Sequence, residues 1–183
     1  THPIKAEIPD VDAARQNFDG ITYAKGAAVL KQLVHYVGRD NFYAGARDYF
    51  QEHAFAAATF DDLLKALKKH TDRDLDAWSQ AWLRTWGPDT LTPELHTEGE
   101  KIAELAISAD AEDVTRPHRL TASLFDASLH KYREIDIDLP AGDGTTRTII
   151  DEAAGIPAPA LLLLNDADHT YAKIRFDETS IDT

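Results

Sequence analysis

Residues 17–38 read NFDGITYAKGAAVLKQLVHYVG. Asp19 is a helix-capping residue type, and Tyr23, Ala27, Leu30, Val34 and Val37 follow at the spacing of one helical stripe. Gly38 supplies a C-terminal stop. Two residues sit badly in a plain packing helix. Tyr23 brings a hydroxyl to the first turn, where backbone amides lack partners and the helix dipole is positive. Gly26 costs roughly 1 kcal/mol against alanine, which predicts a close approach to the backbone there. Tyr23 has two readings: a core aromatic whose hydroxyl finds a partner, or a phenol held to donate to developing negative charge. Periodicity does not choose between them.

Outward from this helix the pattern stays helical to residue 87. Pro3 and Pro9 make residues 1–16 an extended lead-in, with a short helical turn after Asp10. Asp40 is expected to cap a second helix to about His53, with Phe42, Ala46, Tyr49, Phe50 and His53 as its inner stripe. Thr59 and Asp62 have capping-box spacing, Asp standing in for Glu, ahead of Leu63, Leu64 and Leu67. Asp74 heads a fourth helix with Leu75, Trp78, Trp82, Leu83 and Trp86 on one side, and Gly87-Pro88 ends it. The three tryptophans could stack on sugars, but rings that each bury ~150–250 Å² at helical spacing are read as core.

From about Leu91 the period falls to two. Ile102 to Ile107, Leu120 to Phe125, Tyr132 to Leu139, Thr145 to Ile150, Leu161 to Leu164 and Tyr171 to Phe176 are strand candidates. Glu134-Ile135-Asp136-Ile137-Asp138-Leu139 is the cleanest, apolar at every second residue as in a strand wet on one face. Asn165, Asp166 and Asp168 are read as a turn rather than as Ca²⁺ ligands, since the glycine and terminal glutamate of an EF-hand are missing. The predicted fold is α+β in two units: about four helices over 1–87, then an antiparallel β-sandwich of about seven strands over 88–183.

Composition bounds the partners. A chain of 183 residues can hold two small units with cores of their own, and no apolar run nears the length of a membrane span. The net charge of −13 argues against nucleic acid, because no basic stripe exists to neutralise phosphates. Residues 1–90 carry 11 basic and 13 acidic side chains, a net −2, and residues 91–183 carry 8 and 19, a net −11. The split supports two units, the second with a solvated acidic surface. With no cysteine there are no disulfides or thiolate metal sites, and the expected location is cytoplasmic. The absence of Met and the start at Thr1 are read as marks of a piece excised from something longer.

A zinc peptidase needs neutral imidazoles and a carboxylate at set spacing, such as H-E-x-x-H on one helix. None occurs here. His2, His35, His53, His70, His96, His118, His130 and His169 never stand four apart, and Glu52-His53 has the wrong order. No G-x-S-x-G or comparable nucleophile arrangement is present either. No metal ligand and no cofactor-binding residue is assigned.

The run Gly20-Ile21-Thr22-Tyr23-Ala24-Lys25-Gly26-Ala27 resembles the Tyr-x-Lys-Gly helix of the aminopeptidase N family of zinc metallopeptidases, of gluzincin type. Thr1-His2-Pro3-Ile4 is similar to the His-Pro segment that precedes that helix, and the Asp74-Leu75-x-x-Trp78 helix follows in the family's order. The resemblance covers essentially the whole chain. It implies the end of a catalytic domain followed by the family's small β-sandwich, with the zinc motif upstream of Thr1 and a large helical domain downstream. Tyr23 matches the catalytic tyrosine, which stabilises the tetrahedral oxyanion alongside zinc as peptide substrates lose their N-terminal residue. Zinc belongs to the parent family and none is expected on this chain, so the chain alone is expected to be inert. Lys25, facing away from the stripe, is expected to pair with a carboxylate of the upstream part or to snorkel. The alternative is a non-enzymatic module of helices and sandwich that holds a partner.

Overall fold

The computed structural model describes residues 3–5, 8–16, 18–112 and 114–181, with residues 21, 178 and 179 described by backbone only. Thr1, His2 and Asn17 therefore lie outside the described residues. The helices begin where the local chemistry starts them. α1 (Val11–Gln16) follows Asp10, whose carboxylate accepts from the Ala13 amide at 2.7 Å. A π-helical turn, Ile21–Lys25, runs straight into α2 (Gly26–Val37). Gly38, at φ 87°, ends α2, and α3 (Arg39–Glu52) starts at once. Asp40 is thus in the first turn of α3 rather than its cap, and the Asn41 amide satisfies the Val37 carbonyl at 2.9 Å. α4 (Phe60–Leu67) opens on the expected capping box, with the Thr59 amide donating to Asp62 at 2.9 Å. Asp74 caps α5 (Leu75–Leu83) by accepting from the Asp76 and Ala77 amides.

The buried face of α2 differs from the stripe expected. Val29, Leu33, Tyr36 and Val37 enter the core with Leu64, Leu67, Leu75, Trp78, Trp82 and Leu83. Leu30 is 42 % exposed and Tyr23 stands outside. The helix is apolar on more than one side, so a stripe counted from Tyr23 selected the wrong one. Gln32 is buried on the observed face too, its side-chain oxygen accepting from Thr170 Oγ1 and the Tyr171 amide, both at 3.1 Å. α3 is rotated similarly: Phe50 faces solvent and Gly45 is buried. A Cβ on Gly45 would meet the Leu67 Cα at 2.8 Å, so only glycine allows α3 and α4 to approach this closely.

Among the described residues nine strands follow: β1 (Asp89–Glu98), β2 (Lys101–Asp110), β3 (Val114–Thr115), β4 (His118–Phe125), β5 (Lys131–Leu139), β6 (Gly142–Asp143), β7 (Thr146–Ile149), β8 (Leu161–Leu164) and β9 (Ala172–Ile174). One sheet runs β7-β2-β1-β9, the facing one β5-β4-β8, and the short β3 and β6 pair with each other. The fold is α+β, helices first and an open sandwich after. Leu91, Leu105 and Ile107 of one sheet share a core with Leu120, Leu124, Ile137 and Leu162 of the other. β5 alternates as its sequence requires, with Ile135, Ile137 and Leu139 buried and the carboxylates between them exposed. One pairing is parallel, β9 beside β1. β8 lies in the opposite sheet, so the chain crosses between sheets and arrives alongside β1 instead of turning back as a hairpin. Beyond it the Arg175 amide donates to the Leu91 carbonyl at 2.9 Å, and Ser180, in the short α6 (Glu178–Ile181), accepts from the Leu162 amide at 2.9 Å. At the other edge Arg147 of β7 donates to Glu94 at 2.7 Å and Glu104 at 2.5 Å.

Trp82, Arg73 and His35 are among the residues that join the helices to the strands. Trp82 donates its indole N–H to the Pro117 carbonyl at 3.0 Å. Arg73 grips Asp138 with both guanidinium nitrogens, at 2.8 and 3.0 Å. His35 of α2 stacks on His169 of the β8–β9 connection, ring centroids 3.7 Å apart and planes 13° from parallel. Burial pushes the His35 pKa down to about 4, His169 and Arg119 push the same way, and Asp136 and Asp138 oppose them. The unfolded chain takes up this proton near the ordinary histidine value of about 6.5, whereas the folded chain resists it until about 4. Stability contributed by this site is therefore full above about 6.5 and falls as pH drops through that window. Urea titrations across it should show net proton uptake on unfolding, and His35→Leu should flatten the dependence. An unchanged slope in that variant would contradict the assignment.

Candidate active site

Tyr23 owes its position to the π turn. The Tyr23 amide donates to the Asp19 carbonyl at 3.2 Å, and the Asp19 carboxylate accepts from the Thr22 amide at 3.0 Å, as a capping residue should. The wider turn accommodates one extra residue, a distortion found frequently at functional sites. The Tyr23 ring is 60 % exposed and meets Phe18 edge-on, centroids 5.1 Å apart. The reading of Tyr23 as a core aromatic fails on that exposure. Gly26 has open space where a side chain would project: a Cβ placed there would have no described atom within 4 Å, so the close approach expected at this glycine is not made among the described residues.

Lys25 closes the same turn and reverses its expected place. It is only 5 % exposed, and its amine donates to the Thr85 carbonyl at 3.2 Å. Burial lowers its pKa below the usual lysine range, the Arg116 charge lowers it further, and Asp89 offsets part of this. Thr85 is the first link of a buried polar network that sequence reading missed. Its hydroxyl accepts from Arg116 Nε at 2.9 Å and Nη2 at 2.6 Å, and Nη2 also reaches the Trp86 carbonyl at 2.7 Å. Arg116 Nη1 donates to Asp89, which also accepts from the Arg116 amide at 2.7 Å and bonds His118 Nε2 at 2.9 Å. His118 Nδ1 bonds Thr170 Oγ1 at 2.7 Å, and Thr170 donates to Gln32 on α2. Burial alone would raise the Asp89 pKa, but the His118 hydrogen bond, the Arg116 amide and the adjoining Arg116 and His118 side chains hold it below the ordinary carboxylate range. The available signals were a glutamine in an aliphatic helix and an Arg-Pro-His run ahead of an apolar strand.

The other candidates separate. Trp78 and Trp82 are core, as expected, while Trp86 lies beyond the end of α5, 52 % exposed. It lines a cleft of about 460 Å³ together with Arg84, Pro88, Glu112 and Lys173. Asn165 closes its turn on itself, its side-chain oxygen accepting from the His169 and Thr170 amides. Asp166 and Asp168 are engaged by Lys131 and Lys31. Of the described histidines, His35 and His169 stack on each other, His70 pairs with Asp48 at 2.7 Å, and His118 belongs to the network above.

The helical part of the chain matches a domain of one class of proteins, the peptidases. Residues 1–82 match the peptidase family M1 domain. Aminopeptidase N of Streptomyces lividans is 43 % identical over 99 % of this chain, which spans 22 % of that protein. Tricorn protease-interacting factor F2 of Thermoplasma volcanium is 33 % identical over 56 % of this chain and 13 % of its own length. The crystal structure of Legionella pneumophila aminopeptidase A in complex with aspartic acid superposes with a TM-score of 0.68 at 14 % identity, over 89 % of this chain and 19 % of that one, a likeness of fold. The chain belongs to the M1 family of peptidases. It spans about a fifth of the Streptomyces aminopeptidase. M1 aminopeptidases are generally metallopeptidases, yet among the described residues no three His, Cys, Asp or Glu side chains are grouped to hold a metal ion. The described residues do not fit a zinc centre.

Proposed function

We propose that this chain is one stretch of an aminopeptidase, residues 1–87 completing a catalytic domain and residues 88–183 forming the sandwich beside it. In this reading Tyr23 donates a hydrogen bond to the oxygen that becomes negative as the first peptide bond of a substrate is attacked. The observation that carries it is the place of Tyr23: in the Tyr-x-Lys-Gly motif, on a π turn, with its ring in solvent instead of the core. Such a phenol acts on charge present only in the transition state, so its loss should fall on kcat rather than KM. The metal-binding half of the active site is assigned to residues outside this chain. The exposed Phe18, Leu30, Tyr43 and Phe50 support this, since they leave the helical unit with apolar surface for that half to cover.

Tyr23→Phe in the full-length enzyme is expected to lower kcat about 10²- to 10³-fold with KM little changed, as for the loss of one oxyanion donor. Steady-state hydrolysis of an aminoacyl p-nitroanilide measures it. An unchanged kcat would remove Tyr23 from the chemistry. The 183-residue chain alone is expected to release no amino acid from the same substrate.

A further inference from the structure

The buried polar network returns to the helix it started from. It leaves the π turn at Lys25, runs through Thr85, Arg116, Asp89, His118 and Thr170, and re-enters α2 at Gln32, two turns further on. Lys25, Gln32, Asp89, Arg116, His118 and Thr170 are each at most 5 % exposed, and four of them belong to the strand unit or its connections. A solvent-facing lysine would have served the helix equally well. Sinking this amine costs desolvation, and the structure meets that cost with one carbonyl, Thr85, beside a cation and a carboxylate. Two residues before it, in the same wide turn, stands Tyr23. A π turn lacks the regular i→i−4 ladder, so its shape depends on what holds its ends. The Asp19 carboxylate and carbonyl hold the first end, and Lys25 holds the second.

We infer that Lys25 is a positioning residue for Tyr23, fixing the end of the π turn against Thr85 and, through Arg116 and Asp89, against the sandwich. The inference rests on Tyr23 being the oxyanion donor. It gives the strand unit a part in the chemistry: the phenol is aimed from a frame that includes β1 and the start of β4. Lys25 touches no reacting atom. Its effect passes entirely through the place of the Tyr23 hydroxyl, where an error of about 1 Å is enough to cost ~10²-fold in rate.

A double-mutant cycle in the full-length enzyme tests this, with an aminoacyl p-nitroanilide as substrate. Lys25→Met keeps the length and apolar stem of the side chain and removes the donor. It is expected to lower kcat by about 10- to 100-fold with KM within about twofold. Lys25→Arg, which keeps a donor, should recover part of the loss. In a Tyr23→Phe background the same Lys25→Met change should lower kcat no further, because there is no hydroxyl left to aim. Thr85→Val, which removes the hydroxyl that Arg116 grips while sparing the backbone, should show the same non-additivity and serves if Lys25→Met does not fold. An equal fall in both backgrounds would overturn the inference, since a purely structural lysine acts regardless of Tyr23. So would an unchanged kcat in Lys25→Met. A Tyr23→Phe enzyme of unchanged kcat would overturn the Tyr23 assignment itself and this inference with it; a normal Tyr23→Phe loss with additive Lys25→Met overturns this inference alone.

Discussion

The chain in which Asp89 is replaced by alanine is expected to be about 3–5 kcal/mol less stable than its parent. Asp89 is fully buried and is the carboxylate that both Arg116 and His118 engage. Removing it leaves the Arg116 guanidinium without its counter-charge and the His118 imidazole without its hydrogen-bond partner, both of them buried. The loss comes from the orphaned groups more than from the bonds themselves. Replacing all three, as Asp89→Leu with Arg116→Met and His118→Leu, should therefore cost much less than Asp89→Ala alone. Exposed pairs such as Lys31–Asp168 and Lys68–Asp76 should cost only about 0–1 kcal/mol when broken. Urea midpoints and Tm decide it, with Asp89→Ala melting roughly 6–20 °C lower for a chain of this size. An Asp89→Ala chain as stable as one lacking a surface pair would contradict the account.

Trp82→Ala is expected to be of similar severity, about 3–5 kcal/mol. Its ring is wholly buried, has the edge of His118 against it at 5.1 Å, and carries the Arg116 guanidinium 5.5 Å from its centroid. Its N–H is what meets the Pro117 carbonyl at the start of the sandwich. The substitution opens a cavity at the join of the two units and leaves that carbonyl without its donor. Trp86→Ala is the internal control, since that ring is half in solvent and its loss should change the melt of this chain by less than about 1 kcal/mol. Equal effects at the two positions would mean that Trp82 does not join the units.

The features legible in the sequence were those written in local chemistry. Thr59 with Asp62, Asp74 and Gly38 each act within four residues of themselves, and each does what its type and spacing required, whereas α5 stops at Leu83, short of the Gly87 expected to end it. The alternation of β5 is equally local. Tyr23 was singled out by its motif, and its exposure sets aside only the alternative of a core aromatic. What escaped depends on partners far along the chain. Asp89 meets Arg116 and His118 across 27 and 29 residues, and Gln32 meets Thr170 across 138. No periodicity marks such pairs, and a lysine at a helix start reads as surface until Thr85 is folded beside it. The α2 stripe failed for the same reason: two apolar faces were offered, and the packing of Val29, Leu33 and Tyr36 on residues 64–83 is not written in the helix itself.

The parallel strand at the end of the chain has a consequence for how molecules of this protein behave toward one another. Without β9, the ten residues of β1 would form a long rim of backbone donors and acceptors, the template on which foreign strands add. β9 covers only Asp89, Thr90 and Leu91 of that rim, and the opposite rim is four residues long with a tethered arginine beside its centre. The first three residues of β1 are thereby withheld from foreign strands, while residues 92–98 meet no strand on that side among the described residues, and Pro93 there offers no donor to one.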